Sequence, residues 1–515
     1  MIFGSRRFKM SLISLILSWI PSVLLLLLCG LFSCFLCFYA YIKYLHMKYA
    51  HIPGPPIEHF LFGHAFILMR LTNTGFVHDK FLEWSETYGP VYKLHILQHV
   101  MIFTTCPETT KKILVSSKHY KDIAMYKGLI HLFGQRFLGT GLVTELDHDQ
   151  WYKQRRSMDP AFSSINLKSF LSPINEHADG MMSKINEAVE NESAANMTDL
   201  INTYTLDVLA KVAFDIDSNT MKNKSAFTEA IKRCLDGMVI NTRDIFFQYK
   251  PSNKAYVASV REACRFLRET GRDWIRQRSI AIQNNESVPK DILTRIMKNA
   301  TQDDKPTIED EELMVDNFMT FFIAGQEATS NQIAFCVREL GRYPEILEKV
   351  RKEVDEVLGM KQEINAEDLG RLVYLTQVLK EVLRLYPIGP SLPRRVNEDL
   401  VINGVKIPGG VHIIFSPYVT GRLPKFHKDP LVFDPDRFHP DAPKPYYCYY
   451  PFSLGPRNCI GQYLSQMEAK VIVAKFIQRF DFSLTPGQKF GIEDTGSLRP
   501  QNDVTCFVKY RDVKK

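Results

Sequence analysis

The stretch FSLGPRNCIGQ, Phe452 to Gln462, places one cysteine, Cys459, between a glycine-containing loop and the expected start of a helix. The flanking glycines, Gly455 and Gly461, permit a tight loop and a close approach of the backbone to a ligand. At a helix N-terminus, the dipole and the free backbone N–H groups stabilise a thiolate. Because a thiolate is a soft, high-affinity metal ligand, the stretch predicts a metal-binding cysteine. Most lone cysteines are buried and inert, but the register F-x-x-G-x-R-x-C-x-G is far more specific than a lone cysteine.

The composition is that of a globular protein with a large core, since the 515 residues are 45% hydrophobic and 23% charged. The formal net charge is +7, but residues 1–51 hold five lysines and arginines and no acid, which leaves +2 for the rest. The body of the chain therefore has no nucleic-acid footprint.

The N-terminal region predicts a membrane anchor, because Met10 to Ile42 contains no charged residue. About 20 apolar residues suffice to cross a bilayer core. The stretch is longer than the apolar region of a signal peptide, and no A-x-A-like cut site follows it. Three prolines and a glycine in HIPGPP, residues 51–56, then predict a stiff link. We expect residues 1–52 to form the anchor and residues 53–515 one domain.

The ten cysteines are scattered, and the sole C-x-x-C, Cys34 to Cys37, lies inside the apolar stretch. This distribution excludes a disulfide framework and indicates a reducing, cytosolic compartment for the body. The sequons at Asn191, Asn196 and Asn299 would then be silent, so their glycosylation tests the topology.

Most of the chain reads as helical, with a small β region. Val91 to Thr105 is rich in β-branched and aromatic residues and predicts a strand pair. Thr307 and Asp310 form a capping-box start for an apolar-periodic helix that runs to Gly341. A helix of that length, about 50 Å, must cross the middle of a domain.

Within this helix, the segment FFIAGQEATS places a glycine, Gly325, and an acid, Glu327, in an apolar setting. A glycine in a helix interior costs about 1 kcal/mol relative to alanine. Taken alone, the pair is typical of a helix-packing glycine and a surface acid. The alternative is that a flat group packs on the glycine and the acid has a chemical role.

Two further patterns are weak when each is taken alone. In EVLR, Glu381 and Arg384 share a helix face and can form an ion pair, which Arg437 could extend to a triad. In WYKQRR, Trp151 and Arg155 are four residues apart and both only donate hydrogen bonds, which suits an anion such as a carboxylate. A core tryptophan beside a solvated arginine is the alternative.

Taken together and in this order, these motifs resemble those of the cytochrome P-450 family of haem-thiolate monooxygenases, from about Pro53 to the C-terminus. The resemblance implies a mainly α fold with a small β region, haem b as cofactor, and Cys459 as the axial thiolate. It also implies that Arg457, Trp151, Arg155 and Arg394 hold the haem propionates, and that Glu381, Arg384 and Arg437 are structural. Phe452 and Gly461, in the cysteine loop, would also bind the haem, and Phe321, Ala324 and Gly325 would lie on its distal face.

Three segments resemble those of sterol-oxidising members of the family: DLGRLVYLTQVLKEVLRLYP, FFIAGQE and APKPYYCYYPFSLGPRNCIGQ. The resemblance implies a sterol or related lipid as substrate. It also implies O2 as co-substrate and an NADPH-dependent flavoprotein reductase as electron donor, since the chain lacks a G-x-G-x-x-G dinucleotide fingerprint. The expected location is the endoplasmic reticulum membrane, with a single pass and a cytosolic catalytic domain.

The chain departs from the family pattern A-G-x-[DE]-T, whose threonine helps to deliver protons during oxygen activation. Ala328 follows Glu327, and Thr329 comes one residue later, about 100° around the helix. Three interpretations stay open: Glu327 acts with an ordered water, a distortion near Gly325 turns Thr329 inward, or the chemistry needs less proton delivery. We expect monooxygenation with Glu327 and Thr329 as catalytic candidates. The rivals are an isomerase or peroxide-using member of the fold, and a haem- or lipid-binding protein without turnover.

Overall fold

The computed structural model describes residues 3–74, 76–116, 121, 123–216, 224–244, 246–300 and 308–511. The helices are α1 (Phe3–Lys48), α2 (Ala65–Thr74), α3 (Val77–Tyr88), α4 (Pro107–Leu114), α5 (Ile123–Ile130), α6 (His148–Met158), α7 (Ser164–Lys168), α8 (Leu171–Glu190), α9 (Met197–Phe214), α10 (Lys224–Arg243), α11 (Lys254–Gln283), α12 (Ile292–Ala300), α13 (Ile308–Arg342), α14 (Pro344–Leu358), α15 (Ala366–Arg371), α16 (Val373–Leu385), α17 (Pro417–Thr420) and α18 (Gln462–Arg479). The strands are β1 (Val91–Ile96), β2 (His99–Thr104), β3 (His131–Leu132), β4 (Gln135–Arg136), β5 (Ala195–Asn196), β6 (Leu392–Val396), β7 (Leu400–Ile402), β8 (Val405–Ile407), β9 (Val411–Phe415), β10 (Phe480–Leu484), β11 (Ile492–Asp494), β12 (Leu498–Pro500) and β13 (Thr505–Tyr510). The predicted fold class, mainly α with a small β region, is confirmed.

The central element is α13, which packs against α9, α11, α16 and α18. Its length of 35 residues agrees with the prediction of one long helix through the domain. The predicted cap, Thr307, lies outside the described residues. At the other end Pro344 occupies the first turn of α14, where its fixed φ suits a helix start, so it both follows one helix and begins the next.

The principal sheet has the strand order β1-β2-β9-β6. β1 and β2 pair antiparallel from Val91 opposite Thr104 to Ile96 opposite His99, so the predicted strand pair is confirmed. β9 then pairs parallel to β2 and antiparallel to β6. This arrangement places β6, which carries Arg394, at one edge of the sheet.

The apolar N-terminal helix α1 packs against the domain at its C-terminal end. A stretch of 27 residues, Ser22–Lys48, is long and apolar enough to cross a membrane. On its last turns and just beyond them, Ile42, Leu45, Tyr49 and Ile52 are buried in a core cluster with the principal sheet. The C-terminal end of α1 is therefore packed as part of the domain.

The ammonium group of Lys93 on β1 fixes this junction from the sheet side. It donates to the carbonyl oxygens of Tyr49 and Ile52, at 2.6 and 2.7 Å. A cation at this position compensates the unsatisfied carbonyl groups and the negative end of the α1 dipole.

Candidate active site

A cavity of about 340 Å³ lies between α13 and the loop that contains Cys459. Its lining side chains are mostly apolar, and they come from α6, α9, α13, α18 and the segment before β6. Among the described residues, no three His, Cys, Asp or Glu side chains are grouped to hold a metal ion.

Cys459 lines this cavity, and its side chain is accessible from it. The position is deep in the molecule, and burial raises the pKa of the Cys459 thiol. Three groups lower the pKa of Cys459 because they favour the thiolate. They are the backbone N–H groups of Gly461 and Gln462 and the charged Arg155. The site thus has the donors that a thiolate ligand needs, although burial outweighs them for the free thiol.

The loop before Cys459 depends on one glycine. Gly455 has a φ of +68°, and a Cβ there would lie 2.5 Å from the carbonyl oxygen of Leu114. Two residues before it, Ser453 also has a positive φ, 62°. The Cys459 N–H then donates to the Phe452 carbonyl at 2.9 Å, which closes the loop.

Two cations, Lys121 and Arg457, line one end of the cavity, and a third, the buried Arg394, lies close enough to interact with both. None of them has a carboxylate within ion-pair distance in the described part of the chain; Lys121 donates to the Val143 carbonyl, and Arg394 to the Pro393 carbonyl. Burial lowers the pKa of all three, and for Arg457, where Arg394 adds to the effect, the pKa falls to about 10. Cations so placed are costly unless they hold an anion, so the cluster predicts an anionic ligand group.

Trp151 and Arg155 both lie at this end, but they have different partners. The Arg457 guanidinium stacks 4.0 Å above the Trp151 ring centroid and donates to the Glu145 carbonyl at 2.8 Å. Trp151 therefore fixes the direction of Arg457.

Arg155 also lines the cavity, and it already has protein partners, one of which is a carboxylate. It donates to the backbone and side-chain oxygens of Asn458, at 2.7 and 3.1 Å, and to the Asp159 carboxylate at 2.6 Å. These bonds hold Asn458, the residue next to Cys459, and they use N–H groups on all three guanidinium nitrogens of Arg155. Its partners are those of a residue that positions the cysteine loop.

The opposite wall is the face of α13 that carries Phe321, Ala324, Gly325, Ala328 and Thr329. The small side chains in this set leave room beside the helix.

The glycine in this wall also has a packing reason. A Cβ at Gly325 would meet the side chain of Leu209 on α9 at 3.2 Å. Gly325 therefore allows helix packing and also lines the cavity, while the packing of a flat group on it stays a prediction.

Glu327 is not among the residues that line this cavity. Its Oε1 accepts from the Ser497 hydroxyl at 2.8 Å and from the Thr495 hydroxyl at 3.5 Å, which ties it to the turn between β11 and β12. Burial raises the pKa of Glu327 despite these bonds. Thr329, by contrast, lines the cavity, and its hydroxyl has no protein partner among the described residues.

The structure brings Glu381, Arg384 and Arg437 together. Arg384 donates two bonds of 2.7 Å to the two carboxylate oxygens of Glu381, and both side chains are fully buried. Arg437 Nε lies 3.4 Å from Glu381 Oε1. The remaining Arg384 N–H groups donate to the carbonyls of Gly421, Pro430 and Val432, so α16 holds the long segment that leads to the cysteine loop.

Sequence reasoning missed two cavity residues. Lys121 belongs to the cation cluster, but nothing in HYKDIAMY distinguishes it from a surface lysine. Glu468 also lines the cavity, is 4% exposed, and its carboxyl has no hydrogen-bond or ion-pair partner in the described residues. It lies nine residues after Cys459 in α18, and an acid at that spacing does not by itself distinguish a position that faces the cavity from one that faces solvent.

Comparison with known proteins defines the class. The cytochrome P450 family model matches residues 53–507, so the chain belongs to the cytochrome P450 family. It is 27% identical to cytochrome P450 4d2 of Drosophila melanogaster (84% of this chain, 88% of the relative). It is 28% identical to human cytochrome P450 4V2 (88% of each) and 29% identical to the human ultra-long-chain fatty acid omega-hydroxylase (89% and 88%). The solved cytochrome P450DA heme domain has the same fold, with a TM-score of 0.77 at 22% identity, covering 89% of this chain and 98% of that one.

As a member of this family, the protein is a monooxygenase that uses haem b and receives electrons from NADPH through a reductase. The residues present fit that cofactor. Cys459 offers a soft ligand, the lone cation cluster suits two propionates, and small residues of α13 face the cavity. These three features lie in one cavity and would serve one planar, dianionic group.

Proposed function

We propose that the protein inserts one oxygen atom from O2 into a C–H bond of a sterol or closely related lipid, and that cholesterol 24-hydroxylation is its specific reaction. The observation that carries the proposal is the accessible Cys459 in an apolar cavity beside three cations without carboxylate partners. Bound haem supplies the oxygen chemistry, since a thiolate ligand favours O–O cleavage.

The chain's own residues have distinct tasks in this reaction. Cys459 would ligate the iron, while Arg457, Arg394 and Lys121 would hold the propionates and Trp151 would fix Arg457. Arg155 would set the cysteine loop through Asn458. The apolar wall excludes water. Thr329 would hold a proton donor at the cavity, since its hydroxyl has no protein partner among the described residues, whereas the cavity-lining Thr320 hydroxyl donates to the Asp316 carbonyl and Glu327 does not line the cavity.

Support for cholesterol 24-hydroxylation comes from three segments that resemble the corresponding segments of cholesterol 24-hydroxylase, on α13, α16 and the cysteine loop. The apolar cavity agrees with a lipid substrate. The apolar anchor also agrees, because it would keep the domain where such lipids are dissolved.

The second candidate substrate is a fatty acid. It is favoured by the human relative named ultra-long-chain fatty acid omega-hydroxylase, at 29% identity. A fatty acid would need a cation for its carboxylate at the mouth of the site. Assays with cholesterol and with long-chain fatty acids in parallel distinguish the two candidates, because the proposal requires NADPH-dependent sterol product.

We also propose that the protein resides in the endoplasmic reticulum membrane with its catalytic domain in the cytosol. A single apolar helix near the N-terminus supports one pass. Asn191 and Asn196 lie at or near the surface, so a lumenal domain would be glycosylated there. Endoglycosidase treatment should leave the gel mobility unchanged, and a shift would contradict this orientation.

The decisive test is the reduced carbon-monoxide difference spectrum. Wild-type protein should give the strongly red-shifted Soret band of thiolate-ligated haem, and Cys459→Ala should lose it. Cys448→Ala, a buried cysteine in the same region, is the matched control and should keep the band. Haem bound identically without Cys459 would overturn the site assignment.

Turnover separates the remaining rivals. Consumption of NADPH and O2 in step with hydroxylated product supports monooxygenation. Product formed without NADPH and O2 would indicate an isomerase or peroxide-using enzyme, and the absence of any product would indicate a binding protein.

A further inference from the structure

A second, larger cavity of about 1120 Å³ adjoins the first one. It is lined by the start of α3, the C-terminal end of α10, the segment before β6, and the β11–β12 hairpin. Gly389 lines both cavities, so they meet at that residue. A substrate that extended across both cavities would pass this residue.

The walls of this entrance cavity differ from those of the inner one. Apolar side chains such as Phe76, Met238 and Phe490 alternate with polar and charged ones. The charged residues and the histidine that line it are His78, Asp79, Arg243, Glu493 and Asp494. The inner cavity thus suits an apolar group, and the entrance cavity suits the polar end of the same molecule.

Two of these carboxylates, Glu493 and Asp79, already accept hydrogen bonds from protein side chains. The Glu493 carboxylate accepts two bonds of 3.1 Å from Arg499, and Asp79 accepts from the Tyr418 hydroxyl at 2.5 Å. Their remaining attraction for a ligand is reduced accordingly.

Asp494 and Arg243 form the second part of the polar wall, and they also have protein partners. Asp494 Oδ2 accepts from His78 Nε2 at 2.8 Å, its Oδ1 accepts from the Gly496 N–H, and its backbone oxygen accepts from Arg243 Nη2 at 2.8 Å. Burial raises the pKa of Asp494, but the His78 bond and charge outweigh it and the net pKa is lowered, so the carboxylate persists. A carboxylate accepts about four hydrogen bonds and a guanidinium donates five, so both groups have capacity left.

The Asp494 carboxylate is an acceptor and the neighbouring Arg243 guanidinium is a donor, so together they favour a neutral ligand group over a charged one. A hydroxyl group both donates and accepts, so it can donate to Asp494 and accept from Arg243. A carboxylate only accepts, and it would gain Arg243 at the cost of repulsion from Asp494.

We propose that Asp494 and Arg243 bind the hydroxyl group of a neutral lipid alcohol, whose apolar body passes Gly389 towards Cys459. This inference rests on the proposed function and names its specificity-determining residues. His78 positions Asp494, because its Nε2–H holds the carboxylate while its other face packs among Phe76, Phe81 and Tyr418.

The test compares two ligands that differ only in the hydroxyl group, cholesterol and its 3-deoxy analogue, cholest-5-ene. Their affinities for the full-length haem protein are measured from the change in haem absorbance. Wild-type protein should bind cholesterol about tenfold more tightly than cholest-5-ene, because the analogue lacks the hydroxyl group that would bond to Asp494 and Arg243. Asp494→Ala and Arg243→Ala should reduce this preference to about twofold, and Asp494→Glu should restore part of it.

Asn502→Ala is the matched control, because Asn502 lines the same cavity without charge and should leave the tenfold preference intact. Palmitate gives a second readout, since Asp494→Ala should strengthen its binding by removing the repulsion. A purely structural role for Asp494 would weaken both sterols equally and would not improve palmitate binding.

Equal affinities of the wild-type protein for the two sterols, or a preference that survives in both alanine variants, would overturn the inference. If neither sterol yields an oxygenated product in wild-type protein, the proposed function itself fails. If both are oxygenated with equal affinity, the proposed function stands and only the hydroxyl site is refuted.

Discussion

At the residue scale, Gly455 makes the strongest backbone demand in the cysteine loop. Its φ of +68° disfavours any side chain, and a Cβ would also clash with the Leu114 carbonyl at 2.5 Å. We expect Gly455→Ala to destabilise the protein by well over the roughly 1–2 kcal/mol of the conformational cost alone, and to weaken haem retention. Thermal unfolding and haem content measure both effects.

Gly487→Ala provides the control for that variant. Gly487 has a φ of +81°, but a Cβ at this position would have no neighbouring atom within 4 Å. The variant should show the conformational cost without the clash, and equal losses in the two variants would contradict the role given to close packing.

Ala328 is the second residue with a specific expectation. Ala328→Thr restores a hydroxyl on the cavity-lining face of α13, so product formed per NADPH should rise severalfold if proton delivery limits coupling. Thr329→Ala separates the two positions. A fall in product formed per NADPH in Thr329→Ala would assign the proton-holding role to Thr329. An unchanged ratio would show that the Thr329 hydroxyl has no part in proton delivery.

Glu468 predicts a pH dependence of stability. Burial raises the pKa of this carboxyl well above its ordinary value of 4.5, so the folded protein keeps a proton that the unfolded chain releases. Stability is therefore unaffected below pH 4.5 and is lost as the pH rises from there towards the folded pKa, by about 1.4 kcal/mol per pH unit for one proton.

Glu468→Gln removes that proton equilibrium. The melting temperature of the variant relative to wild type should increase steadily between pH 5.5 and pH 8. Glu356→Gln changes an exposed acid on α14 and should show no such trend. A pH-independent difference between Glu468→Gln and wild type would mean that Glu468 is ionised in the folded protein.

The residue scale also shows where sequence reasoning ends. The register around Cys459 is a local pattern, so the sequence could place this residue at the start of a helix. Arg155 bonds to Asn458 and Glu327 bonds to Ser497, and both partners lie far away in the chain. Spacing on one helix could not predict those contacts, nor the cavity-facing position of Glu468.

At the scale of elements, the link between α16 and the cysteine-side segment depends on one buried ion pair. Removing one partner of such a pair leaves an uncompensated charge and costs about 3–5 kcal/mol. We expect Glu381→Gln to lower stability by that order and to reduce the fraction of protein that retains haem. Chemical denaturation of the haem protein measures the loss.

Glu348→Gln is its surface counterpart, because Glu348 pairs with Arg351 three residues later and is 72% exposed. Such pairs contribute little. Similar losses for Glu381→Gln and Glu348→Gln would show that the buried pair is not a structural link.

The elements themselves were largely predictable, for physical reasons. The strand pair and α13 could be predicted because local sequence patterns indicate them. These patterns are the β-branched residues from Val91 to Thr105 and the helical spacing of apolar residues in α13. The pairing of β2 with β9 is different, because it joins residues about 310 positions apart in a parallel register. Nothing in either strand alone specifies that partner.

At the scale of the whole molecule, the packed end of α1 predicts the consequence of shortening the chain. A protein that begins at Pro53 loses Ile42, Leu45, Tyr49 and Ile52 from the core, and each buried side chain of this size contributes about 1.5–3 kcal/mol. It should melt at a lower temperature and aggregate, whereas a protein that begins at Tyr39 should not. Both are compared in the same detergent with haem bound.

Point variants in the full chain support this comparison. Leu45→Ala should destabilise the domain because Leu45 is 6% exposed, and Leu36→Ala should not because Leu36 is 48% exposed. Equal melting temperatures for the two shortened proteins would show that the anchor is only tethered.

The meeting of two cavities at Gly389 has an evolutionary consequence. A side-chain carbon at this position would touch nothing within 4 Å, so the fold tolerates a larger residue there. Any such residue would narrow the passage between the two chambers. A change in a single codon would then alter the border between the two cavities, and with it the length of lipid that could extend across both, without a clash at the new Cβ.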